Sequence, residues 1–274
     1  MYEINRPGEW LRERFAQVES ESDGWRAKDH SIVPVINAEH ILVAADMHFP
    51  KHDQSLIMSM LERAWREEVT DVVHAGDVHD MEGWSRFPGK DGTDSHRRNM
   101  VNCGKLFRII DDMGFRQHYI PGNHEWRMTH NSPLTMLDIT SMMDLGDLVA
   151  SGRLMVYDTP RIRASIGNWY IVHPSQYGSF PGVVAAKLAT RFQANVIAAH
   201  EHHYGLVTDE TGQFLAISSG GLYDPDLHEY IQNNVTAHRA WQRGYVLLHE
   251  GEAHMVRGEP RRMVQAERLV EAVV

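Results

Sequence analysis

The segment VIAAHEHH, residues 196–203, joins an apolar run to three histidines and a glutamate. A short apolar run that starts with β-branched residues is typical of a buried strand. Side chains two residues apart leave the end of a strand on the same side, so His200 and His202 can reach one metal centre together. We therefore predict a buried strand that delivers imidazoles to a functional site.

Other strand-like runs also end in polar, potentially metal-binding side chains. The run 41–45 leads into Asp46 and His48, and the run 72–75 leads into Gly76 and Asp77. The run 117–120 leads into Asn123, His124 and Glu125, and the run 169–172 leads into His173. Between the first two runs, residues 53–69 have the periodicity of an amphipathic helix, which predicts a β-α-β unit with a parallel strand pair. We therefore expect one edge of a sheet to collect carboxylates, amides and imidazoles.

The composition fits a globular protein with a substantial core and one large domain. The chain has 274 residues, of which 42% are hydrophobic and 23% charged, and 18 are histidines. That many imidazoles favours a metal site. The net charge of -10 argues against a protein that coats duplex DNA, because such binding depends on Lys and Arg that neutralise phosphates. Two bound divalent cations would still allow an anionic substrate to approach.

The single cysteine, Cys103, excludes an internal disulfide framework and is typical of a reducing compartment. The first 23 residues mix Glu, Arg and Trp and lack the apolar centre of a signal peptide. No segment approaches the ~20 apolar residues that a membrane-spanning helix needs. The sequence therefore predicts a cytoplasmic location and no membrane partner.

We predict three parts: a helical extension over residues 1–30 that packs on the core, a main domain over 31–258, and a charged tail over 259–274. A loop insertion over 81–98 interrupts the domain and carries Arg86 and Arg97 among other basic and aromatic residues. Because it directly follows Asp77, it is either a lid that contacts substrate or a solvated excursion. His74, inside a strand, is expected to be a core histidine.

The remaining periodicities predict further helices and strands. Helices are expected over 99–113, 133–149 and 180–192, and strands over 32–36, 154–157, 161–165, 205–209, 213–218, 245–249 and 254–256.

The candidate ligands combine hard carboxylate and amide oxygens with imidazole nitrogens. This mixture suits Mn, Fe, Zn or Ni better than an oxygen cage for Ca. The seven candidates are Asp46, His48, Asp77, Asn123, His173, His200 and His202. One tetrahedral ion takes about four protein ligands at most, so seven indicate two divalent ions that share one ligand. A carboxylate is the natural bridge, and Asp77 is the candidate for it.

The order of these motifs resembles the calcineurin-like metallophosphoesterase superfamily. The motifs are Asp46-x-His48, Gly76-Asp77-x-x-Asp80, Gly122-Asn123-His124-Glu125, His173, and His200-x-His202. They span most of the globular chain and keep the family order. The resemblance implies an α/β fold, a four-layer α/β/β/α sandwich of two mixed sheets, with two divalent metal ions at the carboxyl ends of the strands.

The resemblance also implies a role for each position. It places Asp46, His48, Asp77 and His202 on one ion, and Asp77, Asn123, His173 and His200 on the other. A hydroxide shared by the two ions would attack phosphorus. Mn is the first expectation for the identity of these ions. His124 matches the family's catalytic histidine, which protonates the leaving oxygen or stabilises its charge. We expect Glu125 to orient that imidazole through its other ring nitrogen.

Two departures bear on the substrate. The phosphoprotein phosphatase branch has an arginine after its Gly-Asp-x-x-Asp motif, where this chain has Met81, although Arg127 resembles the arginine that follows that branch's Gly-Asn-His-Glu. The motif Asp46-x-His48-x-Pro50 and the run 176–204 are more similar to metallophosphoesterases of bacteriophages and bacteria, some of which hydrolyse phosphodiesters. Arg127, Arg86 and Arg97 are the candidate substrate-binding residues.

These observations favour a metal-dependent phosphodiesterase that hydrolyses small or cyclic nucleotide-type phosphodiesters, with a phosphate ester such as a nucleotide as its partner. One alternative is a nuclease on single-stranded or damaged nucleic acid, and another is a phosphoprotein or phosphomonoester phosphatase. A non-catalytic scaffold is the least favoured reading, since every expected ligand type is present. The motifs leave the oligomeric state open.

Overall fold

The computed structural model describes residues 32–81, 96–130, 132–228 and 241–258, together with the isolated helical positions 12 and 16. The chain divides into two compact units, residues 1–33 and 34–274. All the elements bounded below belong to the second unit. Apart from positions 12 and 16, the predicted extension 1–30 lies outside the described residues, as does the predicted tail 259–274.

Six α-helices and twelve strands are bounded within the described residues. The helices are α1 Gln54–Arg66, α2 His96–Asp112, α3 Asn123–His130, α4 Met136–Met142, α5 Gly146–Ala150 and α6 Val183–Phe192. The strands are β1 Val35–Ile36, β2 His40–Ala44, β3 Asp71–Ala75, β4 Arg116–Ile120, β5 Leu154–Val156, β6 Arg161–Ala164, β7 Trp169–Val172, β8 Asn195–Ala198, β9 Tyr204–Thr208, β10 Leu215–Ser219, β11 Gly244–His249 and β12 Glu252–Arg257.

The strands form two six-stranded mixed sheets. The first sheet has the order β12-β11-β2-β3-β4-β5, in which β2 to β5 are parallel and β11 and β12 are antiparallel additions. The second has the order β1-β6-β7-β8-β10-β9, with parallel pairs β7-β8 and β8-β10 at its centre. Parallel neighbours bring the carboxyl ends of their strands to one edge, where the predicted ligands follow.

Three apolar clusters define the layers. Val43 of β2 and Ile171 of β7 belong to a cluster that fills the space between the two sheets. Leu42, on the other face of β2, packs with Met60 of α1 in a second cluster that also includes α2 and α4. Val196 of β8 packs with Ala185, Ala189 and other residues around α6 in a third cluster. The order is therefore helix, sheet, sheet, helix, and the predicted four-layer α/β/β/α fold is confirmed.

The unit β2-α1-β3 follows its prediction closely. The Asp53 carboxylate caps α1 by accepting a hydrogen bond from the Leu56 amide at 3.1 Å. The apolar stripe of α1 is buried against the first sheet, and α1 ends at Arg66 rather than at residue 69. His74 is fully buried in β3, and its Nε2 lies 3.0 Å from Oε1 of Gln117. It is a core histidine, as predicted.

Three predicted helix boundaries were wrong. Helix α2 begins at His96 rather than at residue 99, so the last three residues of the predicted loop insertion are helical, while 82–95 lie outside the described residues. The predicted helix 133–149 is two short helices, because Asp144 turns the chain with a φ of 60°. Helix α6 starts at Val183, after Gly182 with a φ of 83°.

Two further differences concern short elements. The predicted strand 32–36 contains only Val35 and Ile36 as strand residues. Helix α3, which follows β4 and begins at Asn123, was not predicted, because its eight residues alternate polar and apolar types without a clear stripe. Within the described part of the chain, no helix is long and apolar enough to cross a membrane.

Candidate metal centre

The loops after the strands are joined by main-chain hydrogen bonds at one edge of the fold. The amides of Asp46 and His48, after β2, donate to the carbonyl oxygens of Gly76 and Asp77, after β3, at 3.1 and 2.9 Å. His173, which follows β7 of the second sheet, bonds through Nδ1 to the carbonyl oxygen of Ala75 at 2.9 Å. This edge, where ligand-bearing loops of both sheets meet, is called the rim below.

The rim backbone is strained. Asp46, His48, Asp77, His200 and His202 all have positive φ values, between 50° and 76°. Residues other than glycine seldom adopt this left-handed conformation, and it persists where the surrounding structure enforces it. Five of the seven predicted ligands share it. Such strain clusters at functional sites, because it aims side chains in directions that regular backbone does not offer.

One ligand group contains Asp46, His48 and His202. The two imidazole Nε2 atoms are 2.9 Å apart, and Oδ1 of Asp46 lies 3.3 Å from Nε2 of His202 and 4.0 Å from Nε2 of His48. All three side chains are buried. This group matches the first predicted ion site except for Asp77, which was predicted to be shared between the two ions.

A second group contains Asp77, Asn123, His173 and His200. Nε2 of His173 lies 3.1 Å from Oδ1 of Asn123 and 3.4 Å from Oδ2 of Asp77. Ligand atoms of Asp77, His173 and His200 lie within 4.8 Å of one another. The structure therefore brings all seven predicted ligands to the rim and sorts them into two groups.

The donors of the first group fit a cation. Oδ1 of Asp46 is buried and accepts no hydrogen bond within the described residues. A buried carboxylate oxygen without a partner is costly, and an ion beside it removes that cost. Burial lowers the pKa of His202 to about 4, although Asp46 opposes the shift. The imidazole is therefore neutral at pH 7 and has a lone pair for a metal.

In the second group the balance of charge differs. Burial lowers the pKa of His173, but the carboxylates of Asp77 and Asp46 outweigh it and raise the pKa to about 10. Burial raises the pKa of Asp77, yet the imidazoles around it, those of His124 and His173 foremost, hold it well below its usual range. A cation bound here would replace the proton of His173 as the partner of the Asp77 carboxylate.

Asp80, His48 and His124 also lie close together, but their atoms are bonded to one another. Oδ1 of Asp80 lies 3.1 Å from Nδ1 of His48, and Oδ2 accepts from Lys51 at 2.8 Å. Nδ1 of His124 bonds to the main-chain oxygen of Asp80. This group supports the site rather than forming another: it turns Nε2 of His48 towards Asp46 and fixes the ring of His124.

Glu125 does not have the predicted role. Its fully buried carboxylate accepts hydrogen bonds from four main-chain amides and one hydroxyl. The donors are the amides of Asp77 at 2.9 Å, Val78 at 2.9 Å, His79 at 3.3 Å and Gly122 at 2.8 Å, and the hydroxyl of Tyr119 at 2.9 Å. The prediction that Glu125 orients the imidazole of His124 was therefore wrong. Glu125 ties the loop of Asp77 to that of Asn123 and positions both.

Two glycines allow these loops to approach each other. A Cβ at Gly122 would overlap the carboxylate and amide of Asp77, and a Cβ at Gly76 would overlap the ring of His173. Gly76 also has a φ of 82°. The glycines in the motifs therefore mark close contact between ligand-bearing loops.

Glu201 was missed as a site residue. Its buried carboxylate accepts from the amide of Gly178 at 2.6 Å and the hydroxyl of Ser218 at 3.3 Å. It joins the loop after His173 to the loop of His200 and His202, much as Glu125 joins the other pair of loops. Its place between two ligand histidines was the available signal.

The candidate substrate arginines have separate locations. Nη1 of Arg127 lies 3.1 Å from Nδ1 of His124, at the rim. Arg97 is exposed on α2 and lines a surface groove with Met100 and Leu134. Arg86 lies outside the described residues. Of the three, the structure brings Arg127 to the site.

Comparisons with known proteins find similar solved structures but no match by sequence. No protein-family model matches the chain, and no curated protein does. A dimetal phosphatase from Danio rerio is similar at 12% identity over 81% of this chain and 97% of that one, with a TM-score of 0.46. YfcE, a phosphoesterase from E. coli, is similar at 10% identity over 80% and 98% of the two chains, with a TM-score of 0.41.

A further similar structure is Vps29 from Entamoeba histolytica in complex with zinc. Its identity is 16% over 80% of this chain and 98% of that one, with a TM-score of 0.38. Likeness at this level concerns the fold alone, and the activities named for these proteins are theirs. Function is inferred below from the geometry of the rim.

Proposed function

We propose that this chain is a calcineurin-like metallophosphoesterase that uses two divalent ions to hydrolyse small phosphodiesters. The observation that carries the proposal is the arrangement of the rim: two adjacent groups of buried or half-buried ligand-type side chains, with Nε2 of His124 3.7 Å from Oδ2 of Asp77. A binding scaffold has no need for an imidazole held at the margin of a metal site. A hydrolase needs one there.

Each ligand group would hold one ion. Asp46, His48 and His202 would hold the first, and the second group, Asp77, Asn123, His173 and His200, would hold the other, with Asp77 as the proposed shared ligand. When bound, two such ions polarise phosphate oxygens and lower the pKa of water so that it attacks phosphorus in line. Mn is the proposed ion, with Fe, Zn and Ni as alternatives suited to the same donors.

His124 would assist departure of the leaving oxygen. Its Nδ1 is engaged by the main-chain oxygen of Asp80, so the ring is fixed and Nε2 is the atom that faces the centre. Because Nδ1 donates its hydrogen to the main-chain oxygen of Asp80, the ring with a proton on Nε2 as well is an imidazolium. That second proton can pass to the leaving oxygen, or the imidazolium can stabilise the negative charge on this oxygen. Arg127, beside the same ring, adds positive charge where the phosphate group would lie.

Two side chains near the rim bear on the choice between a phosphodiester and a phosphomonoester. A diester carries one negative charge, whereas a monoester carries up to two near neutral pH. Position 81, an arginine in the phosphoprotein phosphatase branch, is a fully buried methionine that packs under the first sheet. Lys51 is paired with Asp80. This arrangement supports a phosphodiester as the substrate and argues against a phosphoprotein phosphatase.

The test is hydrolysis of three substrates in parallel: bis-p-nitrophenyl phosphate, p-nitrophenyl phosphate and a single-stranded oligonucleotide. Each is assayed with added Mn, Fe, Zn or Ni and again with excess chelator. We expect metal-dependent turnover, fastest on the small diester, and none with chelator. Preference for the monoester would favour the phosphatase, and oligonucleotide cleavage would favour the nuclease. No turnover of any substrate by the metal-loaded protein would overturn the proposal.

A further inference from the structure

Three aromatic side chains lie beside the first ligand group. The ring centroid of Trp241 is 4.0 Å from that of His202, and the two rings are nearly perpendicular. Tyr223 stacks on His202 at 4.7 Å and meets Trp241 edge-on at 5.5 Å. The hydroxyl of Tyr177 accepts a hydrogen bond from the indole nitrogen of Trp241 at 3.3 Å. Aromatic surface therefore adjoins a predicted metal ligand directly.

The position of Trp241 is fixed to the ligand loop by the main chain. Residues 203 and 241 form an antiparallel bridge, and the amide of Gln242 donates to the carbonyl oxygen of His202 at 2.8 Å. Tyr177 is held on its other side, because its hydroxyl lies 3.4 Å from Nε2 of the buried His203. These contacts set the distance between the aromatic rings and the rim. A group that rests on the rings would thus have a defined position relative to the metal ligands.

The three aromatic residues differ in exposure. Tyr223 is 1% exposed and serves as packing under His202, whereas Tyr177 is 52% exposed and Trp241 is partly exposed. Burial of apolar area explains Tyr223, but it does not explain the exposed ring of Tyr177 and accounts for only part of the ring of Trp241. Tyr177 and Trp241, linked by their hydrogen bond, are called the aromatic pair below.

We infer that the aromatic pair binds the base of a nucleoside phosphodiester while the phosphate group lies at the rim. This inference rests on the proposed function and narrows its substrate class. Every nucleobase offers a flat face, and stacking of one base on an aromatic side chain contributes a sequence-tolerant part of affinity. Rings already held in place lose little freedom when a base stacks on them. Recognition of this kind discriminates between substrates with and without a base.

The experiment compares adenosine 5′-monophosphate with ribose 5-phosphate as ligands of the manganese-loaded protein. The two share the sugar phosphate and differ by the base. Isothermal titration calorimetry gives both dissociation constants without requiring turnover. We expect the nucleotide to bind about tenfold or more tightly than the sugar phosphate, within the range known for stacking of a single base.

Variants of the aromatic pair locate the effect. In Trp241→Ala and in Tyr177→Leu the ratio of the two dissociation constants should fall towards one, while Trp241→Phe should keep most of it. Trp65→Ala is the matched control, because Trp65 is 66% exposed on α1. Thermal unfolding and manganese content confirm that each variant is folded and loaded.

The outcomes separate this inference from the proposed function. Equal affinity for the two ligands in the wild-type protein, or a ratio that Trp241→Ala and Tyr177→Leu leave unchanged, would overturn the inference even if small diesters are hydrolysed. A ratio that depends on the aromatic pair, in a protein that hydrolyses no phosphate ester, would support base binding and refute the hydrolase.

Discussion

Two clusters of histidine and aspartate, one within the first sheet and the other at the rim where both sheets meet, differ in how fully their polar atoms are satisfied. In the cluster around the start of β3, called the edge cluster, Oδ1 of Asp71 lies 2.8 Å from Nε2 of His118, whose Nδ1 lies 2.9 Å from the hydroxyl of Tyr157. Oδ2 of Asp71 accepts from Arg116 at 2.9 Å and from Thr70 at 2.7 Å. Each of these atoms has a partner.

The rim has the same residue types, but one of its buried acceptors is left without a hydrogen bond. The Nε2 atoms of His48 and His202 hydrogen-bond to each other at 2.9 Å, whereas the nearby Oδ1 of Asp46 accepts no hydrogen bond within the described residues. Its ligands also have left-handed backbone, whereas Asp71 and His118 lie in regular strands. A histidine beside an aspartate is therefore not enough to indicate a metal site, and the rim also has left-handed backbone and a buried carboxylate oxygen without a hydrogen bond. The edge cluster links β3 to β4, and the rim is the candidate metal centre.

The largest expected effect on turnover comes from replacing an aspartate of the rim, and the matched replacement in the edge cluster should not share it. Asp77→Asn should lower turnover by about 10⁴-fold or more, because the charge stabilisation supplied by the ions is worth several kcal/mol. The matched change Asp71→Asn should leave turnover and metal content nearly unchanged and lower the free energy of unfolding by about 2 kcal/mol. Steady-state kinetics, metal analysis and urea unfolding measure the effects. Equal losses of turnover in both variants would erase the distinction.

Next in size is the change His124→Ala. We expect turnover to fall by about 10²–10⁴-fold, the usual contribution of acid catalysis, with metal content unchanged, because His124 is not among the seven ligands. The counterpart His118→Ala should keep its turnover and lose stability instead. Unchanged turnover in His124→Ala would remove this imidazole from the mechanism.

A smaller effect is expected for Glu125→Gln. The amide can accept fewer of the five hydrogen bonds that hold the loops of Asp77 and Asn123, so metal affinity should fall by about 10–100-fold. Titration with manganese measures it, and Glu62→Gln, at an exposed position of α1, is the control. If metal affinity is unchanged and only turnover falls, Glu125 would act through His124 and not through the metal ligands.

A final effect, on stability and not on activity, concerns His74, a buried histidine outside both clusters. Burial lowers its pKa to about 4, while the hydrogen bond to Gln117 opposes the shift. The folded state excludes a proton that the unfolded chain binds below pH ~6.5, so stability should fall as the pH drops from 6.5 towards 4, by about 3 kcal/mol from this group. Urea unfolding across this range, with chelator present, should give a shallower pH dependence for His74→Leu. Parallel curves would show that His74 does not carry the effect.

Much of the fold was predictable, because local signals and packing agree. The apolar stripe and the Asp53 cap define α1, and the runs before Asp46 and Asp77 define β2 and β3. The start of α2 was not predictable, since His96 and Arg97 are polar residues that extend a helix beyond its apolar stripe. Helix ends depend on capping and tertiary contacts that periodicity does not record.

The convergence of the seven candidate ligands at the rim was also predictable, because their motifs follow strands that end at one edge. The function of Glu125 was not, because its partners are main-chain amides of residues 77–79, about 46–48 positions away in the chain. Side-chain motifs carry no record of such contacts. The aromatic pair was equally hidden, since Tyr177 and Trp241 are 64 residues apart and meet only through the fold.

The most direct test of a two-ion rim is the number of manganese ions bound per chain. Isothermal titration calorimetry with elemental analysis should give two ions for the wild-type protein. His202→Ala should lose one ion from the first group and His173→Ala one from the second, while His118→Ala should keep both. A single ion in the wild-type protein, or two ions that survive both ligand substitutions, would contradict the two-ion account.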